Sequence, residues 1–549
     1  MKNVLLLFFF IPVFVSAQQN QPLHTVQHIY EIYRKTDSSF ICGTGIVAQD
    51  INRPHFFKPF IVKPTEPERT KSKSFSSILY RKVKRESLLI IQDTSSKFSL
   101  TIDPLLNLEL GKDQADTSGE KLYKNTRGFL LRGHIGKKFA FESSFYENQA
   151  TFANYIDQYI AGTDNLFPSK ANYDYNVIPG QGRAKKFKAN GYDYAMASGY
   201  VSYSPVEALN IQVGHGKHFV GDGYRSLLLS DNAFNYPYAR ITTTIGKFQY
   251  TNLYTSFMNL TNGGNKIPPG IERLFQKKVG SFQTLSVNLF RRLSLGLFQC
   301  MIWEAADSTN RQHVNFNTFD PVIGINALNY GLHNKNNVLL GFLFKLKISK
   351  SISLYGQYVL DDLKGKATMA QVRNKNGYQV GFYYFNIFTI RNLILQTEYN
   401  SVRPYTYASA NPEQSYTHYN QALAHPLGAN LNEAIVKLNY RVKDFFTEIK
   451  LNYIVKGKDS LFTNFGGNIF KSDTFVSTPV GQQINTTQGV VSTILYQDIQ
   501  VGYLVNPATS LNIVVGLSNR TEKAEDKTAH TQFVYVGIRT SLSNFYYDF

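Results

Sequence analysis

Apolar and polar residues alternate in short segments along most of the chain, from about residue 98 onward. Between residues 338 and 348 every even position is apolar, whereas Lys345 and Lys347 stand at odd positions. A period of two places successive side chains on opposite faces of a β-strand, so each segment predicts one strand. Comparable segments occupy 351–360, 445–453 and 511–518. The pattern predicts about 18 strands, the first beginning near Phe98 and the last ending near Leu542.

The connections between the predicted strands alternate between very short and long. Short turns on one rim and long loops on the other are typical of a transmembrane β-barrel, with the turns periplasmic and the loops extracellular. An even number of strands places both ends of the barrel in the periplasm. The long connections, rich in Asn, Gly, Thr, Lys and Tyr, run at 148–192, 214–239, 259–280, 304–336, 401–430 and 456–490.

A soluble β-sandwich or propeller is the alternative all-β architecture. A sandwich of this length needs several domain cores, and the sequence has no repeat at the period of a domain or blade. In strand after strand, the positions that alternate with the apolar ones carry Asn, Gln, Ser, Glu and Lys. This face is too polar for a packed core. We therefore expect an all-β fold: a transmembrane antiparallel β-barrel of about 18 strands with a small N-terminal periplasmic extension.

Composition agrees with this fold class. Charged residues make up 18% of the 549 residues, which is below the roughly 25% of an average soluble domain. The 36 Tyr and 41 Phe suit the aromatic girdles that barrels place at both membrane interfaces. The long apolar run lies at the N-terminus alone, which excludes a polytopic helical membrane protein.

The first 97 residues divide into two predicted parts. Residues 1–17 combine an N-terminal lysine, an apolar stretch and small residues at the predicted cleavage point, which is typical of a secretory signal peptide. Residues 18–97 predict a periplasmic extension, and residues 98–549 the outer-membrane β-barrel. The basic run 58–85 is either a solvated surface or a surface that binds an anionic polymer or lipid head groups.

The chain ends in NFYYDF, residues 544–549. A terminal Phe with aromatic residues two and four positions earlier resembles the recognition signal of bacterial outer-membrane barrels. The apolar residues of the last predicted strand stand at even positions, whereas Phe545, Tyr547 and Phe549 are odd. We therefore expect a bulge or break near Ser543.

The most distinctive loop runs from residue 213 to 241 and contains three consecutive leucines, 227–229. A loop that stays in water does not need such a triplet, and the flanking glycines supply unusual backbone angles. The loop is therefore predicted either to fold inward and constrict or plug the lumen, or to pack on its own rim. The residues assigned to this inward loop motif are Gly221, Asp222, Gly223, Arg225, Ser226, Leu227, Leu228, Leu229, Ser230, Asp231, Asn232 and Pro237.

Within this loop, Gly221-Asp222-Gly223, the run 226–233 and Pro237 resemble the signature of the Wzi-type capsule-assembly outer-membrane barrels. The resemblance implies an 18-stranded barrel with extra periplasmic elements that helps attach capsular polysaccharide to the cell surface. Residues 219–223 read FVGDG, where that family tends to have Trp-Gly-Pro-Gly, and this departure bears on ligand identity more than on fold. The loop and the size also resemble the gliding-motility barrels of Bacteroidetes, the RemB-like group, which implies a role in movement or adhesion.

The net charge of +19 favours anionic partners, because basic loops raise the local concentration of acidic polymers. Tyrosines offer flat faces for sugar rings and hydroxyls for hydrogen bonds. The predicted partners are an anionic surface polysaccharide and outer-membrane lipid, with motility or secretion machinery as further alternatives; nucleic acid is excluded for an exported barrel. The residues assigned as polysaccharide contacts are Arg183, Lys185, Lys186, Tyr192, Tyr405 and Tyr416.

No residue pattern points to catalysis, a cofactor or a metal. His215 and His218, with Asp222 nearby, lack the third ligand and the supporting shell that a defined metal site needs. The sequence therefore predicts a non-enzymatic outer-membrane protein that binds or organises capsular or exopolysaccharide at the cell surface. The alternatives are a gliding-motility or adhesion protein and, less favoured, a diffusion porin.

Overall fold

A computed structural model describes residues 19–20, 56–59, 61–62, 74–93, 95–162, 177–260, 276–304, 319–325, 336–361, 375–460, 462–479, 482–540, 542 and 545–549. Within these residues, 18 long antiparallel strands form one closed barrel. The ring closes where the last strand pairs with the first, with Ile538 opposite Leu108. This closed wall confirms the fold class predicted from the alternating pattern.

The wall strands are numbered β1 to β18 in chain order. They are β1 Phe98–Asp113, β2 Lys121–Ile135, β3 Phe139–Ala150, β4 Gly191–Val206, β5 Leu209–Gly216, β6 Tyr236–Ile245, β7 Phe248–Asn259, β8 Gln276–Phe290, β9 Leu293–Glu304, β10 Asn337–Lys347, β11 Ile352–Asp361, β12 Asn376–Phe385, β13 Leu393–Val402, β14 Leu431–Val442, β15 Phe445–Lys458, β16 Val490–Asn506, β17 Leu511–Ala524 and β18 Lys527–Arg539.

Several shorter elements accompany the wall. Helix α1 spans Phe75–Lys84 and helix α2 spans Asn154–Ala161. No helix in the described part of the chain is long and apolar enough to cross a membrane. The remaining short elements are two 3-10 turns, Ile387–Thr389 and Pro412–Gln414, and strands Gln19–Asn20, Phe57–Lys58, Ile61–Val62, Leu89–Asp93, Lys185–Phe187, Phe219–Val220, Thr417–His418 and Gln421–Ala422.

Side chains alternate between the two faces of the wall as the period-two pattern predicts. Large apolar side chains on the outer face are exposed, among them Leu110 at 66%, Val213 at 60% and Val515 at 56%. Polar side chains of the opposite parity, such as Gln212 and Asn452, point inward and are buried. A β-barrel in lipid needs this arrangement, because its apolar band faces hydrocarbon.

The interior is less uniformly polar than expected. Phe282, Phe298, Leu339, Leu343 and Val359 point inward from β8 to β11, and all are buried in one apolar cluster. They pack against an apolar loop within the barrel rather than against water. The inference that the inward parity is too polar for a packed core is therefore wrong for this sector of the wall.

Residues 56–58 of the N-terminal region lie inside the barrel. Strand Phe57–Lys58 pairs with Phe219–Val220, and Phe56 joins the interior apolar cluster. Strand Leu89–Asp93 pairs with the start of β1. The predicted signal peptide, residues 1–17, lies outside the described residues, and the boundaries 18–97 and 98–549 stay predictions.

The C-terminus leaves the wall. Strand β18 ends at Arg539, earlier than the predicted end near Leu542. Tyr546, Asp548 and Phe549 are buried inside the barrel, so the final aromatic residues do not extend the last strand. The bulge or break predicted near Ser543 lies outside the described residues. We call residues 545–549 the C-terminal tail.

Replacing Val515 by Lys is expected to destabilise the folded barrel in a bilayer by about 2–4 kcal/mol, because a charge on the outer face meets hydrocarbon. The conservative variant Val515→Leu should unfold like the wild type. Urea unfolding of both proteins in phospholipid vesicles checks this. Equal stability of the Lys and Leu variants would show that this face of β17 does not contact lipid.

Candidate functional site

The loop between β5 and β6 is buried over its whole central part. Every residue from Lys217 to Ala233 is buried, although the loop joins two strands at the long-loop rim. We call residues 217–235 the inward segment. Its polar groups cannot reach water, so each needs a partner inside the barrel.

Ser226 organises the inward segment locally. Its hydroxyl donates to the carbonyl of Val220 at 2.6 Å and accepts from the backbone N–H groups of Leu228 and Leu229, each at 3.2 Å. The N–H of Val220 in turn donates to the carbonyl of Leu229 at 2.8 Å. These bonds close residues 220–229 into a compact loop that presents its leucines to the wall.

Two glycines let the inward segment approach the wall closely. Gly221 has φ 124°, and a Cβ there would lie 1.7 Å from Nε2 of Gln357. A Cβ on Gly223 would lie 2.6 Å from side-chain oxygens of both Gln379 and Glu398. The FVGDG sequence therefore suits close backbone contact with the wall.

Inward-facing polar residues on neighbouring strands bind the backbone of the segment. The Glu398 carboxylate on β13 accepts from the N–H groups of Tyr224 at 2.7 Å and Arg225 at 3.1 Å. Gln357 on β11 accepts from the N–H of Leu227 at 2.9 Å. Gln379 on β12 donates to the carbonyl of Arg225 at 2.9 Å. The inward-facing polar residues of the wall thus provide hydrogen-bond partners for the backbone of a buried loop.

Arg225 is the centre of this network. Its guanidinium lies 3.0 Å from Glu433 on β14 and 3.1 Å from Asp548 in the C-terminal tail, and all three side chains are at most 1% exposed. Asp548 also pairs with Lys450 on β15 at 3.1 Å. Burial alone would raise the pKa of the Asp548 carboxyl, but Arg225 and Lys450 outweigh burial and hold that pKa well below its ordinary value. One arginine therefore joins the loop, the wall and the tail.

The leucine triplet lies in the interior apolar cluster. Leu227, Leu228 and Leu229 are all 0% exposed. Their carbonyls are bound by tyrosines from the 403–430 connection: the Tyr407 hydroxyl donates to Leu227 at 2.7 Å and the Tyr416 hydroxyl to Leu228 at 2.5 Å. Burial of the triplet removes its apolar side chains from water, and the backbone carbonyls keep hydrogen-bond partners.

The tail completes the interior. The Tyr546 hydroxyl donates to Asp231 at 2.8 Å, and the Tyr224 hydroxyl donates to Asp548 at 2.8 Å. Arg520 on β17 donates to the carbonyl oxygen of Phe549 at 2.8 Å. A cavity of about 320 Å³ remains between the tail, α2 and the inner walls of β1, β2 and β14–β18.

The remaining residues of the motif take different positions. Asp222 forms an ion pair with Lys345 on β10 at 2.7 Å. The N–H of Ser230 and the amide of Asn232 bond to the carbonyls of Leu423 and Ala422. Pro237 is the exception: it stands on β6 opposite His215 and is exposed on the outer face. Its assignment to the inward loop is wrong, because the chain has rejoined the wall there.

The predicted polysaccharide contacts separate into two groups. Arg183, Lys185 and Lys186 are exposed near the start of β4, at the long-loop rim. Tyr192 and Tyr416 are 0% exposed and Tyr405 is 1% exposed. The tyrosine assignments are therefore wrong for a surface ligand, since these rings pack inside the barrel and their hydroxyls bond to other protein groups.

Sequence reasoning missed two exposed aromatic residues at the same rim. Phe462 is 83% exposed and Phe475 is 51% exposed, both in the connection between β15 and β16. The sequence feature that could have identified them is a Phe within a loop rich in Ser, Thr and Asn. Unlike the buried tyrosines, these two rings are exposed. This connection is tied to the 403–430 connection by a bond from the Tyr405 N–H to the Gly466 carbonyl at 3.0 Å.

The two loop histidines have different surroundings. His218 is buried, with its ring 4.4 Å from that of Tyr238 and 5.3 Å from that of Phe57. The His215 ring lies 3.1 Å from the carbonyl of Ala197. Among the described residues no group of three or more His, Cys, Asp or Glu could hold a metal ion.

A closed 18-stranded wall with an apolar outer face is that of an outer-membrane barrel. The sequence model of the capsule assembly protein Wzi family matches residues 117–521. Since the match covers more than half of the chain, the chain belongs to this family.

Three solved structures are similar to this chain, and the first of them shows the same fold. One is described as Wzi, an outer-membrane protein involved in group 1 capsule assembly in Escherichia coli and a carbohydrate-binding β-barrel; it is 12% identical, the match covers 96% of this chain and 100% of that chain, and the TM-score is 0.51. Acinetobacter baumannii OccAB2 is 11% identical over 80% of this chain and 97% of its own, with a TM-score of 0.40. Pseudomonas aeruginosa OprD is 9% identical over 80% and 94%, with a TM-score of 0.39. Among curated proteins, none matches this sequence.

Replacing Arg225 by Met should destabilise the barrel by about 3–5 kcal/mol, because it removes the guanidinium that the buried carboxylates of Glu433 and Asp548 share. The variant Arg183→Met removes an exposed arginine and should change stability by no more than about 0.5 kcal/mol. Urea unfolding of both variants provides the measurement, and equal stability would contradict the role given to Arg225.

The same network predicts a pH dependence. An acid whose pKa is lowered by folding stabilises the protein above its unfolded pKa, and this stabilisation is lost as the pH falls towards the folded pKa. The stability difference between the wild type and Asp548→Asn should therefore be constant from pH 8 to about 5 and should shrink below about pH 4.

Proposed function

We propose that this protein is a non-enzymatic outer-membrane barrel that binds surface polysaccharide at its long-loop rim and organises it at the cell surface. Family membership supports the connection with capsule assembly. The E. coli structure described as a carbohydrate-binding barrel supports the ligand class. The observation that carries the proposal is the combination of a filled interior with a rim that exposes basic and aromatic side chains.

The filled interior argues against a pore as the main function. The inward segment, the 403–430 connection and the C-terminal tail occupy the lumen, and their polar groups bind one another and the wall. Solute diffusion needs a continuous water-filled path. The cavity beside the tail leaves part of the lumen empty, so the proposed barrier is the inward segment itself.

The rim supplies groups suited to an acidic polysaccharide. Arg183 and Lys185 are exposed cations that attract carboxylate or phosphate groups. Phe462 and Phe475 offer apolar faces on which the C–H groups of sugar rings can stack. In this proposal the long-loop rim is extracellular and helix α1 lies on the periplasmic side.

The double variant Phe462→Ser/Phe475→Ser should bind isolated surface polysaccharide about tenfold more weakly, a loss of about 1.4 kcal/mol. The charge variant Arg183→Glu/Lys185→Glu should weaken binding further at low salt, because it reverses the local charge. A matched control is Phe388→Ser, which removes a 76% exposed Phe at the opposite rim. Titration calorimetry of detergent-solubilised protein measures each affinity.

Expression of the same variants in a strain that lacks the gene tests the role in cells. The control variant should restore surface polysaccharide, whereas the rim variants should leave it detached in the medium. Normal polysaccharide in the deletion strain, together with altered spreading on agar, would refute the proposal in favour of the gliding-motility alternative. Equal polysaccharide affinity of all variants would refute the assignment of the rim.

The wild-type barrel should show no large steady conductance in planar bilayers. Replacing residues 219–231 by a short Gly-Ser linker should open a conducting path, since it removes the backbone that Gln357, Gln379 and Glu398 bind. A control variant that shortens the exposed 114–120 turn should stay closed. Steady conductance of the wild type would instead favour a diffusion porin.

A further inference from the structure

Helix α1 presents its apolar face away from the protein. Phe75 is 79% exposed, Ile78 36%, Leu79 55% and Val83 44%. These residues lie within one side of the helix, because positions three and four apart share a face. A surface helix in water buries that side against its own domain, so this orientation is the reverse of the usual one.

The other side of α1 and the residues that follow it attach to the barrel. The Asn506 amide, at the end of β16, donates to the carbonyls of Lys82 and Glu86, each at 3.0 Å. Glu86 also lies 3.3 Å from the ammonium of Lys82. The apolar face is therefore held outward by specific polar contacts at the short-turn rim.

The position of α1 is continuous with the lipid-facing surface of the wall. The Lys84 ammonium lies 5.2 Å from the ring centre of Tyr503 on β16. That ring packs 4.9 Å from the ring of Phe445, which is 59% exposed on the outer face of β15. Outward aromatic side chains near a rim mark the interface between hydrocarbon and head groups.

The strand after α1 extends the same surface. Leu89 and Ile91 are 46% and 44% exposed on strand Leu89–Asp93, which pairs with β1. The exposed side chains of α1 thus continue the apolar outer band of the wall. The helix sequence FSSILYRKVK contains no acidic residue and ends with Arg81, Lys82 and Lys84, and Arg85 follows.

We propose that α1 is an interfacial helix that inserts its apolar face among the acyl chains of the leaflet at the short-turn rim, while its basic residues contact phospholipid phosphates. An amphipathic helix with this composition lies in the interface plane with its apolar side buried about 5–10 Å deep. Basic residues near an anionic surface strengthen such binding. The occupant of the apolar face is lipid rather than a second protein.

Site-specific fluorescence tests this position. The background is Trp303→Phe, which removes the single native Trp. Two separate variants, Phe75→Trp and Leu79→Trp, each place one indole on the apolar face. The matched control Phe462→Trp lies on an 83% exposed Phe at the long-loop rim. Each protein is reconstituted in phosphatidylcholine vesicles with and without phosphatidylglycerol, and its folding is checked by heat-modifiable gel mobility.

The indoles at positions 75 and 79 should be quenched by lipids brominated on their acyl chains and should be about threefold less sensitive to acrylamide than the control, as burial in the interface requires. Adding Lys84→Glu/Arg85→Glu should reduce this protection in vesicles that contain phosphatidylglycerol. Acrylamide quenching equal to that of the control would overturn the proposal. Protection from acrylamide without quenching by brominated lipid would overturn it too, because a protein surface would then cover the helix.

Discussion

The ion pairs of Arg225 with Glu433 and Asp548 are the interaction on which the interior of this barrel depends. A buried guanidinium without partners would cost far more than the loop could recover by packing, so both carboxylates are needed. Glu433 belongs to the wall and Asp548 to the C-terminal tail, while Arg225 stands in the inward segment. Three parts of the chain that are distant in sequence are therefore held in one arrangement by a single side chain.

The same constraint explains the composition of the lumen. A buried loop brings many backbone N–H and C=O groups out of water, and each needs a partner. Inward-facing polar side chains on β11 to β13 provide these hydrogen-bond partners, namely Gln357, Gln379 and Glu398. Inward-facing apolar side chains of β8 to β11 pack against the leucine triplet. The barrel therefore contains a mixed core in which hydrogen bonding and apolar packing support the same loop.

Because the interior is filled, both proposed binding surfaces lie at the rims. The long-loop rim exposes cations and phenylalanines on connections that the interior network holds in place, which lowers the entropy cost of forming a binding surface. The short-turn rim carries α1, whose apolar side continues the lipid-facing band. The two rims thus have different surfaces: the long-loop rim is the proposed polysaccharide surface, and the short-turn rim is the proposed membrane-interface surface.

The wall of the barrel could be predicted from local sequence. Strand periodicity, alternating connection lengths and outward apolar residues such as Val515 follow from local spacing, because the membrane imposes one repeated rule on every strand. The unusual character of the leucine triplet could also be read locally. Other features could not be read locally. They are the burial of Tyr192, Tyr405 and Tyr416, the outward position of Pro237, the exposure of Phe462 and the position of the C-terminal tail inside the barrel. These depend on which distant groups meet inside a closed ring, and a tyrosine in a polar loop has the same local sequence whether its hydroxyl faces water or the carbonyl of Leu228. The closed fold brings such groups together: the partners of Arg225, for example, lie 208 and 323 residues away along the chain.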